Sequence, residues 1–215
     1  ACEAALTGTT AIDFAYECNN PTTCYTANLL SLNGGTSTVI ARNNNGGVAS
    51  YTSVNMTFDA NGNAPFAFNY GDVGLVTLHA RKIAAGALLS TLTGSSNPFV
   101  VKPFGFVVSN IQQTGAPNTP NPGAANALGA KFVKAGEAFS ATVTAVAQGG
   151  AATPNYGKEI SAEGVRLSTA LIAPVGGANP ALGNLTSFGA FSNGAASGST
   201  FNWGEVGIIS LTPSV

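Results

Sequence analysis

Charge is what this sequence has least of. Only 8% of its 215 residues are Asp, Glu, Lys or Arg, eight basic against nine acidic, for a net charge of −1. Ordinary soluble domains carry about 25%. The eight basic residues are scattered, so no basic stripe follows a phosphate backbone and nucleic-acid binding is not expected. There is one histidine, one tryptophan and one methionine. Apolar runs are strand-sized and fall far short of the roughly 20 residues of a membrane-spanning helix. No amphipathic helical period stands out, and no signal peptide is evident. The chain opens at Ala1-Cys2, which reads as a processed or truncated end; a lipoprotein junction is the less favoured alternative.

The scarcity of histidine and acids bears on chemistry. A Ser-His-Asp arrangement would have to use His79, and the sequence has no G-x-S-x-G elbow around a serine. Paired carboxylates for glycoside hydrolysis need two acids about 5–10 Å apart. Two of the nine acids, Asp72 and Glu205, have a structural reading given below. A zinc site wants four ligands, which one histidine and three cysteines supply poorly. Asp59-Ala60-Asn61-Gly62-Asn63 hints at a calcium loop. It lacks the glycine at position six, and position twelve is Tyr70 rather than Glu, so a hairpin turn is the better reading. Asn55-Met56-Thr57 and Asn184-Leu185-Thr186 match the glycosylation pattern without further meaning here. The expectation is a non-enzyme without cofactor or metal.

What the sequence does have is 45% hydrophobic residues, 27 glycines and 11 prolines. Short alternating runs are separated by turn signals. In 51–58, Val54, Met56 and Phe58 alternate with polar residues. In 138–147, Phe139, Ala141, Val143 and Ala145 do the same. Further strands are expected at 104–112 and 165–172. Turns are expected at Asn33-Gly34-Gly35, Asn43 to Gly47, Gly149-Gly150, Gly176-Gly177 and Asn193-Gly194. Cys18 and Cys24 flank the polar loop CNNPTTC, and that spacing can close as a disulfide in an oxidising compartment. Cys2 is left over, to pair with another chain, with sequence outside this one, or with either of the other two.

An internal repeat organises the whole. Residues 68–80 read FNYGDVGLVTLHA, and 201–213 read FNWGEVGIISLTP. They lie about 130 residues apart and follow similar lead-ins, DANGNAPFA (59–67) and SNGAASGST (192–200). Asp72-Val73-Gly74 and Glu205-Val206-Gly207 resemble the corner that precedes strand F of immunoglobulin-like sandwiches, where glycine permits a sharp turn between sheets. Tyr70 and Trp203 occupy equivalent places before it. Such rings could stack on sugars, but an aromatic at a sheet corner is more often packing. In the strands that follow, Val76, Leu78 and Ala80, then Ile209 and Leu211, should point inward. Leu75, Thr77 and His79, then Ile208, Ser210 and Thr212, should point outward.

These features predict an all-β protein of two tandem immunoglobulin-like β-sandwich domains, 1–102 and 103–215. The boundary falls at Lys102-Pro103 in a stiff, proline-bounded linker. Residues 112–130 form a long loop, read as a solvated excursion rather than a contact loop. In the first domain, 86–92 and 97–101 can supply a final strand G. The second domain reaches Val215 just after its strand F and so lacks that strand. Either more chain follows or another chain donates a strand to the open edge.

Several segments together resemble the MshQ-like accessory proteins of mannose-sensitive haemagglutinin (MSHA) type IV pilus loci: FVVKPFGFVVSN (99–110), KFVKAGEAFSATVTAVAQ (131–148) with TPNYGKE (153–159), FNWGEVGIISLTP (201–213) and CNNPTTC (18–24). The resemblance implies an exported protein of a Gram-negative cell surface, associated with pili or adhesion, with protein partners that include self-association. It brings no catalytic residues. The resulting expectation is an extracellular structural or adhesive module. The alternative is a carbohydrate-binding module with a glycan ligand, marked by a row of exposed aromatics.

Overall fold

The computed structural model describes residues 4–27, 29–34, 36–85 and 88–215. Cys2 lies outside them, as do Gly35 of the first expected turn and the first two residues of the 86–92 segment. The described residues contain fourteen strands and no helix. The chain divides into two compact units, Ala1–Lys102 with Lys158–Ile160, and Pro103–Gly157 with Ser161–Val215.

The first unit contains β1 (Gly8–Asn20), β2 (Leu30–Asn33), β3 (Ser37–Val39), β4 (Ala41–Asn44), β5 (Thr52–Phe58), β6 (Ala67–Tyr70), β7 (Gly74–Lys82), β8 (Leu92–Ser95) and β9 (Phe99–Val101). One sheet has six strands, with β1 and β7 at its centre. Along one edge, β1 pairs first with β5, antiparallel, then with β4, parallel. Its other edge pairs with β7. The second sheet runs β3-β2-β6. Between the sheets lie Phe14, Tyr16 and Cys18 of β1, Leu30 and Leu32 of β2, and Val54 and Met56 of β5. Each side chain of this size contributes about 1.5–3 kcal/mol on burial. The alternation in 51–58 therefore places its apolar residues inward, with Phe58 against the core margin.

Strand β7 follows its expected inward set: Val76 and Leu78 are buried, and Ala80 packs at the margin. Its other face departs from expectation. Thr77 is buried, because its hydroxyl donates to Asn19 Oδ1 at 2.7 Å. His79 is half-buried against Glu17. Strand G is split. β8, at Leu92–Ser95, starts at the last residue of the 86–92 segment and pairs with His79–Lys82, whereas β9 pairs with Gly74–Val76.

The second unit contains β10 (Gly105–Gln113), β11 (Phe139–Val146), β12 (Arg166–Ala173), β13 (Ala195–Phe201) and β14 (Ile208–Ser214). One sheet runs β10-β11-β13 and the other is the pair β12-β14. Phe139 and Ala141 of β11, Leu167 of β12, Phe201 of β13, Leu182 and Trp203 form the core. Phe201 sits among rings, 4.9 Å from Phe188 and 6.0 Å from Phe139 by centroid. The long loop folds back on β10 through Gln113 N–H to Thr119 O and Asn121 N–H to Ile111 O. It is exposed from Thr114 to Leu128.

Candidate functional site: the repeated corner

In the first unit the corner joins β6 to β7. Tyr70 is buried, its ring edge-on to Tyr16 at 5.6 Å, and its hydroxyl lies 3.8 Å from Cys18 Sγ. Cys18 is disulfide-bonded to Cys24, with Cα atoms 5.4 Å apart. The bridge therefore ties the end of β1 to the loop after it, beside the corner aromatic. Asp72 is buried, and its Oδ1 accepts from the next backbone N–H, that of Val73, at 2.9 Å. Gly74 has φ +127°, and a Cβ there would lie 2.5 Å from Asn20 O and 3.1 Å from Pro21 Cδ. Only glycine fits such an approach of two backbones.

The second corner, leading into β14, repeats these relations. Trp203 is buried, and its Nε1–H donates to Pro180 O at 3.1 Å. Glu205 Oε1 accepts from Val206 N–H at 2.8 Å. A Cβ on Gly207 would lie 2.5 Å from Ala173 O. Gly74 thus faces the carbonyl of the last residue of β1, and Gly207 that of the last residue of β12.

The equivalence extends to the ladders. The β1–β7 register shifts between Cys18 and Asn20, with Cys18 opposite Val76. The β12–β14 register shifts between Leu171 and Ala173, with Leu171 opposite Ile209. Each first strand then runs into a proline, Pro21 or Pro174, through a cis peptide bond. Sequence reading found the second half of this unit and missed the first. Asn20-Pro21 and Ala173-Pro174 were visible signals, but the stretch from proline to glycine is much shorter in the second copy.

The corners also differ. Val73 is 2% exposed and Asp72 buried, whereas Val206 is 69% exposed and Glu205 is half-exposed.

Other polar groups serve the backbone. Glu17 Oε1 accepts from Gly46 N–H at 2.8 Å and Gly47 N–H at 2.9 Å, and its Oε2 lies 3.3 Å from His79 Nε2. The Gly47 hydrogen bond, joined by that from Gly46 and by His79, holds the carboxyl below its usual range. The buried Asn43 side chain accepts from Ala49 and Ser50 N–H, both at 3.0 Å, and so fixes the turn after β4. Asp59 Oδ1 accepts from Asn61 and Asn63 N–H within its own turn, and the Asn63 hydrogen bond leads in lowering its carboxyl. Among the described residues, no three His, Cys, Asp or Glu side chains gather as a metal set. No helix among them is long and apolar enough to cross a membrane.

Residues 1–95 match the family model described as "Domain of unknown function (DUF6701), first Ig-like domain", and residues 102–202 match "DUF6701, second domain". Neither a curated protein nor a solved structure matches the chain.

Proposed function

The chain belongs to the DUF6701 family, and from that footing we propose that it is a non-catalytic, extracellular structural or adhesive module of a bacterial surface or pilus-associated protein. One observation carries the reading: the recurring residues are used internally. Tyr70 and Trp203 fill cores, Asp72 and Glu205 cap the backbone, and Gly74 and Gly207 permit close approach. A repeat of this kind is a means of building one scaffold twice.

Three further features support the placement. The Cys18–Cys24 disulfide suits an oxidising compartment. Few charges leave surfaces that suit packing against neighbours. The MshQ-like segments point to a Gram-negative surface and to protein partners, self-association through strand edges among them. A glycan platform built on the repeated aromatics would need Tyr70 and Trp203 exposed, and both rings are buried.

The test is labelling of intact cells of the source bacterium with a membrane-impermeant amine reagent and antibody. The chain should be modified without lysis and should co-purify with sheared surface material. Labelling that requires cell rupture would overturn the placement.

A further inference from the structure

We propose that the first unit binds a single-chain anionic amphiphile, a fatty-acid carboxylate, with its alkyl tail in an apolar cavity at one end of the sandwich and its head on Lys82. The inference goes beyond the surface-module reading and does not rest on it.

The cavity follows from side-chain size along one row of the large sheet. Phe14 of β1, Ala80 of β7 and Gly94 of β8 lie opposite one another. Further along β7, Val76 and Leu78 fill the space between the sheets. At Ala80 the inward side chain shrinks to a methyl, and at Gly94 there is none. A Cβ on Gly94 would meet nothing within 4 Å. The result is a cavity of about 300 Å³, lined by Phe14, Ile12 and Met56 of the core. That volume is at the lower end of the range for small-molecule sites.

The opening is apolar as well. Phe66 stands there on the irregular stretch before β6, 45% exposed, with its ring 5.9 Å from that of Phe14. Leu92 lines the same side and is 43% exposed. The N-terminal segment belongs to the wall. Leu6 lines the cavity, and a Cβ on Gly62 would lie 3.2 Å from Ala4 Cβ, so this segment packs on the 59–63 turn.

Charge chooses the head group. The inward set of β7 continues past Ala80 to Lys82, which is half-buried and also lines the cavity. Lys82 Nζ donates to Ala11 O at 3.0 Å. Two of its three N–H donors remain for a ligand. Among the described residues no carboxylate forms an ion pair with it. Arg81, beside it, is already neutralised: its Nε lies 3.1 Å from Asp13 Oδ2, and its guanidinium is 3.9 Å from the Tyr51 ring centroid. An apolar cavity with one inward, unneutralised cation at its rim fits an alkyl chain that ends in a carboxylate.

The test is titration calorimetry of the full chain with decanoate below its micelle concentration. Binding should saturate at one site per chain. Hexanoate should bind at least about tenfold more weakly, because fewer methylenes are buried. Lys82→Met should weaken decanoate about fivefold and leave decanol unchanged. Ala80→Leu should fill the cavity and abolish binding. Gly94→Leu, at a position with open space, should do the same, so the test survives a misfolded Ala80→Leu; far-ultraviolet circular dichroism reports folding of each. Absence of saturable binding would overturn the proposal, as would decanoate binding that persists in folded Gly94→Leu. Equal loss of decanoate and decanol in Lys82→Met would remove the head-group contact and overturn it too. Self-association abolished by Phe66→Ser would make a second copy the occupant, with the same consequence.

Discussion

Asn20 presents its backbone oxygen where any side chain at position 74 would have to begin: a Cβ on Gly74 would lie 2.5 Å from it. Ala173 and Gly207 stand in the same relation at the same distance. Replacing either glycine by alanine forces the two strands apart. Gly74→Ala and Gly207→Ala should each cost about 2–3 kcal/mol. Urea unfolding checks this, with Trp203 fluorescence following the second unit and near-ultraviolet circular dichroism the whole chain. A loss below about 0.5 kcal/mol would show that the corner is not the constraint described.

The Cys18–Cys24 bridge closes a short loop, so its contribution is modest. Reduction, or Cys18→Ala with Cys24→Ala, should lower stability by about 2 kcal/mol on the chain-entropy estimate. The loss should appear as a lower unfolding midpoint, with the far-ultraviolet spectrum of the folded protein retained.

Trp203 separates two roles of one ring. Trp203→Phe removes the hydrogen bond to Pro180 O and should cost about 1–2 kcal/mol. Trp203→Ala also opens the core and should cost about 3–5 kcal/mol. Because the ring is buried, a glycan array should give no signal that depends on it. Loss of a glycan signal in Trp203→Phe, with folding intact, would restore the carbohydrate reading.

Glu17 gives the first unit an acid-sensitive element. Its folded carboxyl titrates below its ordinary value, because Gly47 and Gly46 donate to the charged form. Unfolding releases those bonds and lets the carboxyl bind a proton more readily. The stabilisation is present at neutral pH and above the ordinary carboxylate range, and is lost as pH falls through the folded value. The urea midpoint should fall on acidification towards pH 3 in the parent and fall less in Glu17→Gln. Equal falls would remove Glu17 from the account.

The sequence made the two-sandwich plan legible because period-2 alternation and glycine turns are local signals. Val54, Met56, Phe139 and Val143 could be placed by parity alone. The second corner could be found because its residues recur in order. Three things were hidden because they depend on contacts between distant segments. The burial of Thr77 requires Asn19 across the ladder. The capture of Glu17 by Gly46 and Gly47 requires β4 to lie parallel beside β1. The match of Asn20 with Ala173 is visible only once each carbonyl is seen against its glycine.

The position of β1 also sets the order of events during synthesis. Asp13 and its ion-pair partner Arg81 are separated by 68 residues, and the whole central ladder spans a similar distance. Within the first unit, β1 therefore finds its central neighbour only after β2 to β6 have followed it, and topologies rich in such distant pairings assemble slowly. A chain threaded N-terminus first would carry β1 exposed until Lys82 had followed it, which makes that interval the natural window for a chaperone to act.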